Sequence, residues 1–177
     1  MIIGNKLARY KTIDSTNAEA RRLIVSGEGE GLVVIAAKQT KGRGKPGAKW
    51  LSPLGNLYLS AVVKPFKNPQ DIAPLTLLGA VAARSAITRL AKLAVVIKWP
   101  NDLLIHGKKV GGILTERLAS GFIIIGIGIN VNSLPAEMER TATSLKKEGK
   151  KIIDLKKLES GLIAELDNNY DLFLRKM

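Results

Sequence analysis

The sequence predicts a single α+β domain with a mixed, largely antiparallel sheet and helices packed on one face of it. Three observations carry this prediction. The second half of the 177-residue chain contains four β-rich segments separated only by short turns, which is typical of consecutive hairpins rather than of a doubly wound sheet. Residues 154–176 have leucines spaced by three or four and predict a helix that packs on the sheet. The length is that of one domain, since domains have roughly 100–200 residues.

The first helix and the first buried strand are predicted within residues 16–37. Thr16 and Glu19 have the spacing of a capping box, and the helix that they open ends in a glycine-rich stretch at 27–31. Residues 32–37, LVVIAA, are a short apolar and β-branched run followed by polar residues. Such a run is typical of a buried strand.

A long loop separates this strand from the next one. Residues 38–55 contain too many glycines and prolines for a regular element, so they predict a loop. Residues 56–63 resume strand character, and Asp71 opens a helix rich in alanine and leucine that runs to about Lys92. Pro74 stands in the first turn of this helix, where proline is tolerated.

The second half of the chain is mostly strand. Its four β-rich segments are bounded by turn residues, and they are VVIKW at 95–99, LLIH at 103–106, KKVGGILTERL at 108–118 and FIIIGIGINVN at 122–132. The segment from Ser133 to Lys151 is polar and strongly charged. It is the only linker-like stretch of the sequence.

The composition excludes several kinds of site. Because the chain has no cysteine, it has no disulfide, thiolate metal site, iron–sulfur cluster or cysteine nucleophile, and a reducing compartment fits. His106 is the only histidine, which argues against metal centres and catalytic triads built on histidine. The N-terminus lacks the apolar stretch of a signal peptide, and no apolar run approaches the roughly 18 residues of a membrane span. These features predict a cytoplasmic protein without a membrane anchor.

The net charge of +13 predicts an anionic partner, such as a nucleotide, a nucleic acid, a membrane surface or an acidic protein. No acidic residue occurs between Gly31 and Gln70. Basic residues do occur there, namely Lys38, Lys41, Arg43, Lys45, Lys49, Lys64 and Lys67. The positive field is therefore concentrated on the predicted loop and its flanking strands.

The glycines of this loop suggest contact with a phosphate or a carboxylate. Residues 42–47, GRGKPG, fit the G-x-G-x-x-G pattern of dinucleotide-binding folds, but the motif does not open a helix and no acidic residue lies between it and Asp71. The lysine of a P-loop is also missing, because Ala48 stands in its place. The interpretation that remains is an anion-binding loop. Glycines let backbone N–H groups approach an anion, and Arg43 and Lys45 add positive charge. An irregular structural turn is the alternative.

Three further motifs allow both a functional and a structural interpretation. Residues 98–102, KWPND, end a strand in a turn and could be strand punctuation alone. Lys109 enters the double glycine of residues 111–112, where a bulge or a close ligand is expected, although Lys108 and Lys109 could also be solvated charges of an edge strand. At residues 126–130, GIGIN, a tight crossing within the sheet explains the glycines but not the asparagine.

Together these segments resemble the catalytic domain of biotin protein ligases. The motifs follow that family's order and spacing over residues 8–175, and they are STN at 15–17, KQTKGRG at 38–44, WLSP at 50–53, NLYLS at 56–60, KWPND at 98–102, KVGGILTE at 109–116 and GIGINV at 126–131. Each motif is weak alone. The specificity of the resemblance comes from their combination in register.

The resemblance implies a reaction in two steps. Biotin and ATP, with Mg²⁺, form biotinyl-5'-AMP and pyrophosphate. The biotinyl group then passes to a lysine of a biotin carboxyl carrier protein, or of such a domain in a biotin-dependent carboxylase. No covalent enzyme intermediate is needed, so catalysis consists of positioning and of stabilising phosphate charge.

The resemblance also implies roles for individual residues. Lys109 and Arg43 are the expected catalytic cations, placed between the biotin carboxylate and the α-phosphate. The residues expected to bind biotin are Ser15, Thr16, Asn17, Gln39, Gly42, Arg43, Lys109, Gly111 and Gly112. Those expected to bind ATP are Arg43, Gly44, Lys45, Trp50, Asn101, Lys109 and Asn130, of which Asn130 would reach the adenine. The metal ligands stay unknown, and Asp102 is the candidate for a position near Mg²⁺.

The sequence departs from the family in two respects. The family's loop commonly has arginine at the positions of Lys45 and Ala48, so tight retention of the adenylate is in question, because arginine binds phosphate bidentately and lysine does not. The chain is also expected to be the catalytic domain alone, residues 1–177, without an N-terminal DNA-binding domain or a small C-terminal β-barrel. Whether it forms a homodimer, or receives the barrel from a separate chain, is left open.

Three alternative functions are kept. A lipoate ligase has a similar fold and similar chemistry, but its usual RRxSGGG loop is missing here. A basic nucleic-acid-binding module would explain the charge, although aromatic residues are few and no basic recognition helix is evident, so nucleic acid is not the favoured partner. A catalytically inactive paralogue, or one half of a split enzyme, is the third.

Overall fold

The computed structural model describes residues 1–45, 47–66 and 71–176. Pro46 of the predicted loop, and Lys67 and Gln70 of the acid-free stretch, lie outside these residues. The described strands form a seven-stranded sheet in the order β1-β2-β3-β7-β6-β5-β4. The strands are β1 Lys6–Ile13, β2 Leu32–Gln39, β3 Leu57–Val63, β4 Val96–Lys98, β5 Asp102–Ile105, β6 Lys108–Arg117 and β7 Ile123–Ile129. The α-helices are α1 Thr16–Val25, α2 Ala73–Ala91, α3 Leu145–Gly149 and α4 Leu155–Arg175, and a 3₁₀ turn spans Ala136–Met138.

The sheet is mixed and largely antiparallel, as predicted. β1 pairs with β2 in parallel, and the other neighbouring strands of the described chain pair antiparallel. The four strands of the second half form consecutive hairpins. The sequence pattern does not single out β1, because this edge strand is mostly exposed and lacks the apolar alternation of a half-buried strand.

Helices cover both faces of the sheet. The long helices α2 and α4 pack on one face, over a core that includes Val33 and Leu59. α1 packs on the opposite face, where Ala20 and Ile24 belong to a second, smaller core. The prediction of helices on one face therefore holds for α2 and α4. It does not hold for α1, which packs on the other face. The reason is that continuous apolar runs such as residues 123–125 supply side chains to both faces, because neighbouring strand residues point in opposite directions.

The capping box predicted for α1 is not formed. Ser15 is the N-cap residue of this helix, and its side chain makes no capping hydrogen bond, while Thr16 is already helical. The Glu19 carboxylate accepts instead from Tyr10 Oη at 2.8 Å and from Arg22 Nε at 2.7 Å. The start of α1 is thus fixed by tertiary contacts rather than by local capping.

The segment predicted as a linker is an ordered part of the domain. It contains α3, and its residues Thr143 and Leu145 are fully buried. The backbone N–H of Lys109 donates to the Thr141 carbonyl at 3.1 Å, and the Lys109 carbonyl accepts from Thr143 N at 2.9 Å. The prediction of a linker is wrong, because the backbone of this segment pairs with β6. None of the helices in the described part of the chain is long and apolar enough to cross a membrane.

Candidate active site

Three glycines form the floor of the candidate site, on the face of the sheet that carries α1. Gly112 of β6 pairs with Gly128 of β7, and Gly126 lies two residues before Gly128 on the same face. A Cβ atom at Gly126 would lie 2.2 Å from Asn17 Oδ1, and one at Gly128 would lie 2.7 Å from the Trp50 indole. Both positions require glycine, because a neighbouring side chain occupies the space that a Cβ would need.

A cavity of about 160 Å³, termed the main cavity, opens above this floor. Its charged lining residues are Lys45, Lys49, Asp102 and Lys109. A second cavity of about 480 Å³, termed the loop cavity, is lined by residues 39–43 and 48–52. The two cavities share a wall that includes Trp50. The loop between β2 and β3 therefore separates two spaces that could be joined by moving it.

Lys109 presents its amine to the main cavity. Its Nζ lies 2.7 Å from Asp102 Oδ1 on the neighbouring strand β5, and 5.5 Å from the centre of the Trp50 ring. A Cβ atom at Gly112 would lie 3.6 Å from the same nitrogen. The carboxylate and the ring face hold a flexible side chain in place, so that a cation is fixed above the glycine floor.

The glycine-rich loop forms a short hairpin-like tongue, residues 42–50, of which all but Pro46 are described. Trp50 N donates to the Gly42 carbonyl and Gly44 N donates to the Ala48 carbonyl, each at 3.0 Å. Ala48 N donates to the Lys45 carbonyl at 2.8 Å and so closes a tight turn. A Cβ atom at Gly42 would lie 2.3 Å from the Trp50 carbonyl oxygen, so glycine is needed where the two arms of the tongue meet.

The polar wall of the main cavity comes from α1 and β2. Gln39 Oε1 accepts from the backbone N–H of Thr16 at 2.8 Å and from its hydroxyl at 3.1 Å. Gln39 Nε2 donates to Ser52 Oγ at 2.8 Å. The amide of Gln39 is thus held at both ends, and it holds the N-terminus of α1 beside the cavity.

Asn17 is buried and supports the floor from the other side. Its Oδ1 accepts from Ser60 Oγ at 2.6 Å, and its Nδ2 donates to the Leu114 carbonyl at 3.2 Å and to Glu116 Oε2 at 2.7 Å. These bonds fix the amide against Gly126. Asn17 therefore shapes the site without reaching the cavity.

Tyr58 of β3 pairs with Gly128 at the floor. Burial raises the pKa of its phenol to about 12, and its hydroxyl donates to the Pro53 carbonyl at 2.8 Å. Tyr58 therefore stays neutral at physiological pH and anchors the end of the loop rather than transferring protons.

The structure brings nine of the predicted site residues together at the main cavity. They are Thr16, Gln39, Gly44, Lys45, Trp50, Asn101, Asp102, Lys109 and Gly112. The other predicted residues lie around this cavity without lining it in the described chain, and they are Ser15, Asn17, Gly42, Arg43, Gly111 and Asn130.

Three of these outlying residues have partners away from the main cavity. Gly111 faces the core, because alternate residues of β6 point to opposite faces. Asn130 is buried, and its Nδ2 donates to the Thr143 carbonyl at 3.1 Å. Arg43 Nη2 lies 3.0 Å from Glu116 Oε2, and Arg43 also lines the loop cavity. None of these three residues lines the main cavity, so their contacts with biotin or ATP stay predictions.

Sequence reasoning missed Lys49 and the two glycines of β7 as site residues. Lys49 lines both cavities, and Gly126 and Gly128 form the floor. The available signals were the position of Lys49 between the glycine loop and Trp50, and the spacing of two between glycines in an apolar strand. That spacing places both glycines on one face of the sheet.

The described residues do not fit a permanently bound metal ion. No three His, Cys, Asp or Glu side chains cluster anywhere in them. Asp102, the candidate for a position near Mg²⁺, is paired with Lys109. A resident Mg²⁺ would need several oxygen ligands in octahedral array, which this donor set does not supply.

Comparisons with known sequences place the chain among known protein ligases. The family model for the biotin/lipoate A/B protein ligase family matches residues 10–132. The bifunctional ligase/repressor BirA of Bacillus subtilis is 41% identical over 162 residues, covering 86% of this chain and 50% of that protein. The biotin--[acetyl-CoA-carboxylase] ligase of Mycobacterium tuberculosis is 35% identical over 159 residues, covering 86% of this chain and 59% of that protein. The chain thus spans about half the length of these relatives.

Solved structures extend the likeness to the whole described fold. The biotin protein ligase from Aquifex aeolicus in complex with biotin and ATP matches with a TM-score of 0.87 at 34% identity, covering 97% of this chain and 73% of that one. The biotin protein ligase from Leishmania major in complex with biotinyl-5-AMP matches with a TM-score of 0.82 at 30% identity, covering 94% and 76%. The motifs, the fold and these matches agree, and the chain belongs to the biotin/lipoate A/B protein ligase family.

Proposed function

We propose that this chain condenses biotin with ATP to form biotinyl-5'-AMP and then transfers the biotinyl group to a lysine of a biotin carboxyl carrier protein or domain. The observation that carries the proposal is the Lys109 amine, held by Asp102 above a floor of glycines. A carboxylate and a triphosphate repel each other, so a fixed cation between them favours their reaction. The names of the relatives support biotin as the acid that is activated.

In the first step, a carboxylate oxygen of biotin attacks the α-phosphorus of ATP. The new oxygen–phosphorus bond forms as the bond to the bridging oxygen of pyrophosphate breaks, and pyrophosphate leaves. Negative charge moves toward the α-phosphate oxygens and the leaving group, so Lys109 stabilises the transition state more than the ground state. Lys45 and Lys49 at the cavity wall would offset the remaining phosphate charge.

In the second step, the amine of the acceptor lysine attacks the acyl carbon of the mixed anhydride. AMP leaves, the amine loses a proton, and an amide bond remains. The enzyme supplies no nucleophile in either step, which agrees with the absence of cysteine. Mg²⁺ enters this scheme as the counter-ion that ATP carries into the site.

We expect substrate binding to move the tongue. The main cavity has about 160 Å³, whereas ligand pockets usually have roughly 300–1,000 Å³. The adjoining loop cavity has about 480 Å³, and Trp50 lies in the wall between them. Displacement of Trp50 would join the two spaces, so we expect the tongue to rearrange when biotin and ATP bind.

The lining residues suggest where each substrate lies. Thr16 and Gln39 at the polar wall would contact the ureido ring of biotin, and Leu114 would border its aliphatic tail. Trp50 and Asn101 would border the nucleotide. We predict that the acceptor is the carrier of a biotin-dependent carboxylase and that the location is cytoplasmic. The oligomeric state stays open.

Incubation with biotin, ATP, Mg²⁺ and a biotin carboxyl carrier domain tests the proposal directly. The expected result is a carrier that gains one biotinyl group by mass spectrometry, with pyrophosphate released in the first step. Omission of the carrier should leave biotinyl-5'-AMP as the product. Lipoate in place of biotin is the matched control. Modification of a lipoyl carrier by lipoate, without any reaction of biotin, would contradict the proposal and assign the chain to the lipoate branch of the family.

A further inference from the structure

We propose that Arg43 and Glu116 form a clasp that holds the tongue against β6, so that Arg43 acts as a positioning residue for the tongue. The clasp joins the glycine-rich loop to the strand that also carries Lys109. Its consequences for catalysis rest on the proposed function. Its effect on the tongue can be measured without any ligand.

Arg43 lines the loop cavity but not the main cavity. Arg43 and Glu116 line a third cavity of about 340 Å³. This cavity shares Gly44, Lys45 and Ala48 with the main cavity. The same part of the tongue therefore borders both the main cavity and the space beside the ion pair, and Lys45 is the basic residue that lines these two cavities.

Glu116 is a well-anchored partner for a loop residue. Its Oε2 accepts from Asn17 Nδ2 at 2.7 Å, and its Oε1 lies 3.5 Å from Arg21 Nη2. The Glu116 side chain is 19% exposed, whereas that of Arg43 is 45% exposed. Because Asn17 is itself bonded to the buried Ser60, a continuous chain of hydrogen bonds runs from the centre of the sheet to the tongue.

The effect of the clasp should be local. A partly exposed ion pair adds little to the stability of a whole domain. Arg43, however, stands between Gly42 and Gly44, whose backbone groups pair with Trp50 and Ala48 to build the tongue. Loss of the ion pair should therefore loosen these pairs while the sheet and α1 stay folded.

The two possible roles of Arg43, in a clasp or in contact with the substrate, predict different double-variant effects for Arg43 and Glu116. If Arg43 acts through Glu116, removal of either partner gives the same defect, and removal of both gives no more. If Arg43 touches the substrate, its removal is costly whatever stands at position 116. The pair of single variants and the double variant therefore separates the two roles.

Hydrogen exchange of the ligand-free protein is the first test, using Arg43→Gln, Glu116→Gln and the double variant. Glutamine at position 116 keeps an acceptor for Asn17, so the fold should persist. We expect the amides of Gly44 and Trp50 to exchange about three- to tenfold faster in all three proteins, and Arg43→Lys to restore most of the protection. Arg21→Gln removes a cation from the same carboxylate without touching the tongue, and it should leave these amides unchanged. Unchanged exchange in both single variants, or additive effects in the double variant, would overturn the clasp.

Release of biotinyl-5'-AMP is the second test. We expect it to be about three- to tenfold faster in Arg43→Gln and in Glu116→Gln, with no further gain in the double variant. A hundredfold loss of adenylation in Arg43→Gln with normal adenylation in Glu116→Gln would overturn the clasp and make Arg43 catalytic. If the wild-type protein forms no adenylate, the proposed function fails, and the exchange result alone decides on the clasp.

Discussion

Lys109 Nζ lies 2.7 Å from Asp102 Oδ1, an ion pair that joins β6 to β5 at the main cavity. A register shift between Leu103 and Leu104 sets this geometry, because Asp102 pairs with Gly112 while Leu104 pairs with Lys109. Because of this register shift, the Lys109 side chain lies on the same face as Gly112, and its Nζ is 3.6 Å from where a Cβ of Gly112 would be. Two motifs that each allow a purely structural interpretation therefore meet in one charged site.

Lys109→Met is expected to lower adenylation by about 10²–10³-fold, as removal of a preorganised charge-stabilising group typically does. The variant keeps the length and the apolar stem of the side chain, so the domain should remain folded. Rapid-quench measurement of biotinyl-5'-AMP formation checks the rate. Lys108→Met is the matched control, because Lys108 Nζ donates to the Glu139 carbonyl at 3.0 Å, away from the main cavity. Wild-type rates in both variants, or an essential Lys108, would refute the role of Lys109.

Gly126→Ala is expected to destabilise the domain by about 1–3 kcal/mol, as overpacking typically does. The added Cβ would lie 2.2 Å from Asn17 Oδ1, and the bonds of that amide leave it little room to move. Gly161→Ala is the control, because Gly161 lies in α4 with nothing within 4 Å of a Cβ. It should stabilise the domain by about 0.5–1 kcal/mol, since alanine favours a helix over glycine. Urea denaturation of the two variants should therefore shift the midpoint in opposite directions.

Ala48→Arg is expected to slow the release of biotinyl-5'-AMP. Ala48 is exposed and lines the main cavity, so an arginine there can add a charge-assisted bond to the phosphate. Such a bond contributes about 1.5–3 kcal/mol. Ala119→Arg adds the same charge on an exposed residue after β6, and it should not change the release rate. An unchanged or faster dissociation from Ala48→Arg would contradict the interpretation of this departure from the family loop.

Asp14 should make stability depend on pH in the acid range. Hydrogen bonds from Arg22 lower the pKa of Asp14 from 3.8 to about 2 in the folded chain. Because the folded pKa is the lower one, this contribution is complete above the unfolded pKa and is lost as the pH falls from about 4 to about 2. Both side chains are more than one third exposed, so we expect about 1 kcal/mol or less.

The variant Asp14→Asn isolates this contribution. The difference in free energy of unfolding between wild type and variant should be constant above pH 5 and should shrink toward pH 2. Urea denaturation at several pH values measures it. A difference that does not change with pH would mean that the Asp14 and Arg22 pair does not stabilise the fold.

Binding of biotin and ATP together is expected to protect the tongue from hydrogen exchange. The tongue holds few backbone hydrogen bonds, and we expect its movement to enlarge the main cavity. The amides of Gly44 and Trp50 should become at least about tenfold slower to exchange when an anion lies between the glycines and the lysines. Amides of α4, on the opposite face of the sheet, serve as the internal reference. Equal protection with and without substrates would argue against the tongue as a ligand clamp.

Most of the fold could be predicted from local sequence features. Leucine spacing predicted α4, continuous apolar runs predicted β2 and β7, and turn residues marked the hairpins of the second half. One prediction that relied on composition failed. The segment 133–151 has the polarity of a linker, but its backbone bonds to Lys109, a partner that no local pattern reveals.

The candidate site was only partly predictable. Motif order identified the family and most of the residues at the main cavity, because these residues stand next to glycines and strand ends that are visible in the sequence. It also assigned Gly111 to the site, although this glycine faces the core. Neighbouring strand residues point to opposite faces, so of the two adjacent glycines that were predicted only Gly112 lines the main cavity.

The sequence by itself determined the family, the order of the elements and the chemistry available at the glycine-rich loop. Only the tertiary structure decided which charged groups meet. Arg43 looks like a substrate ligand in the sequence, yet its guanidinium lies against Glu116, which stands 73 positions later in the chain. The physical reason is that glycines and flexible side chains leave a loop many accessible conformations. Contacts with distant strands select one of them, and those contacts exist only after the sheet has formed.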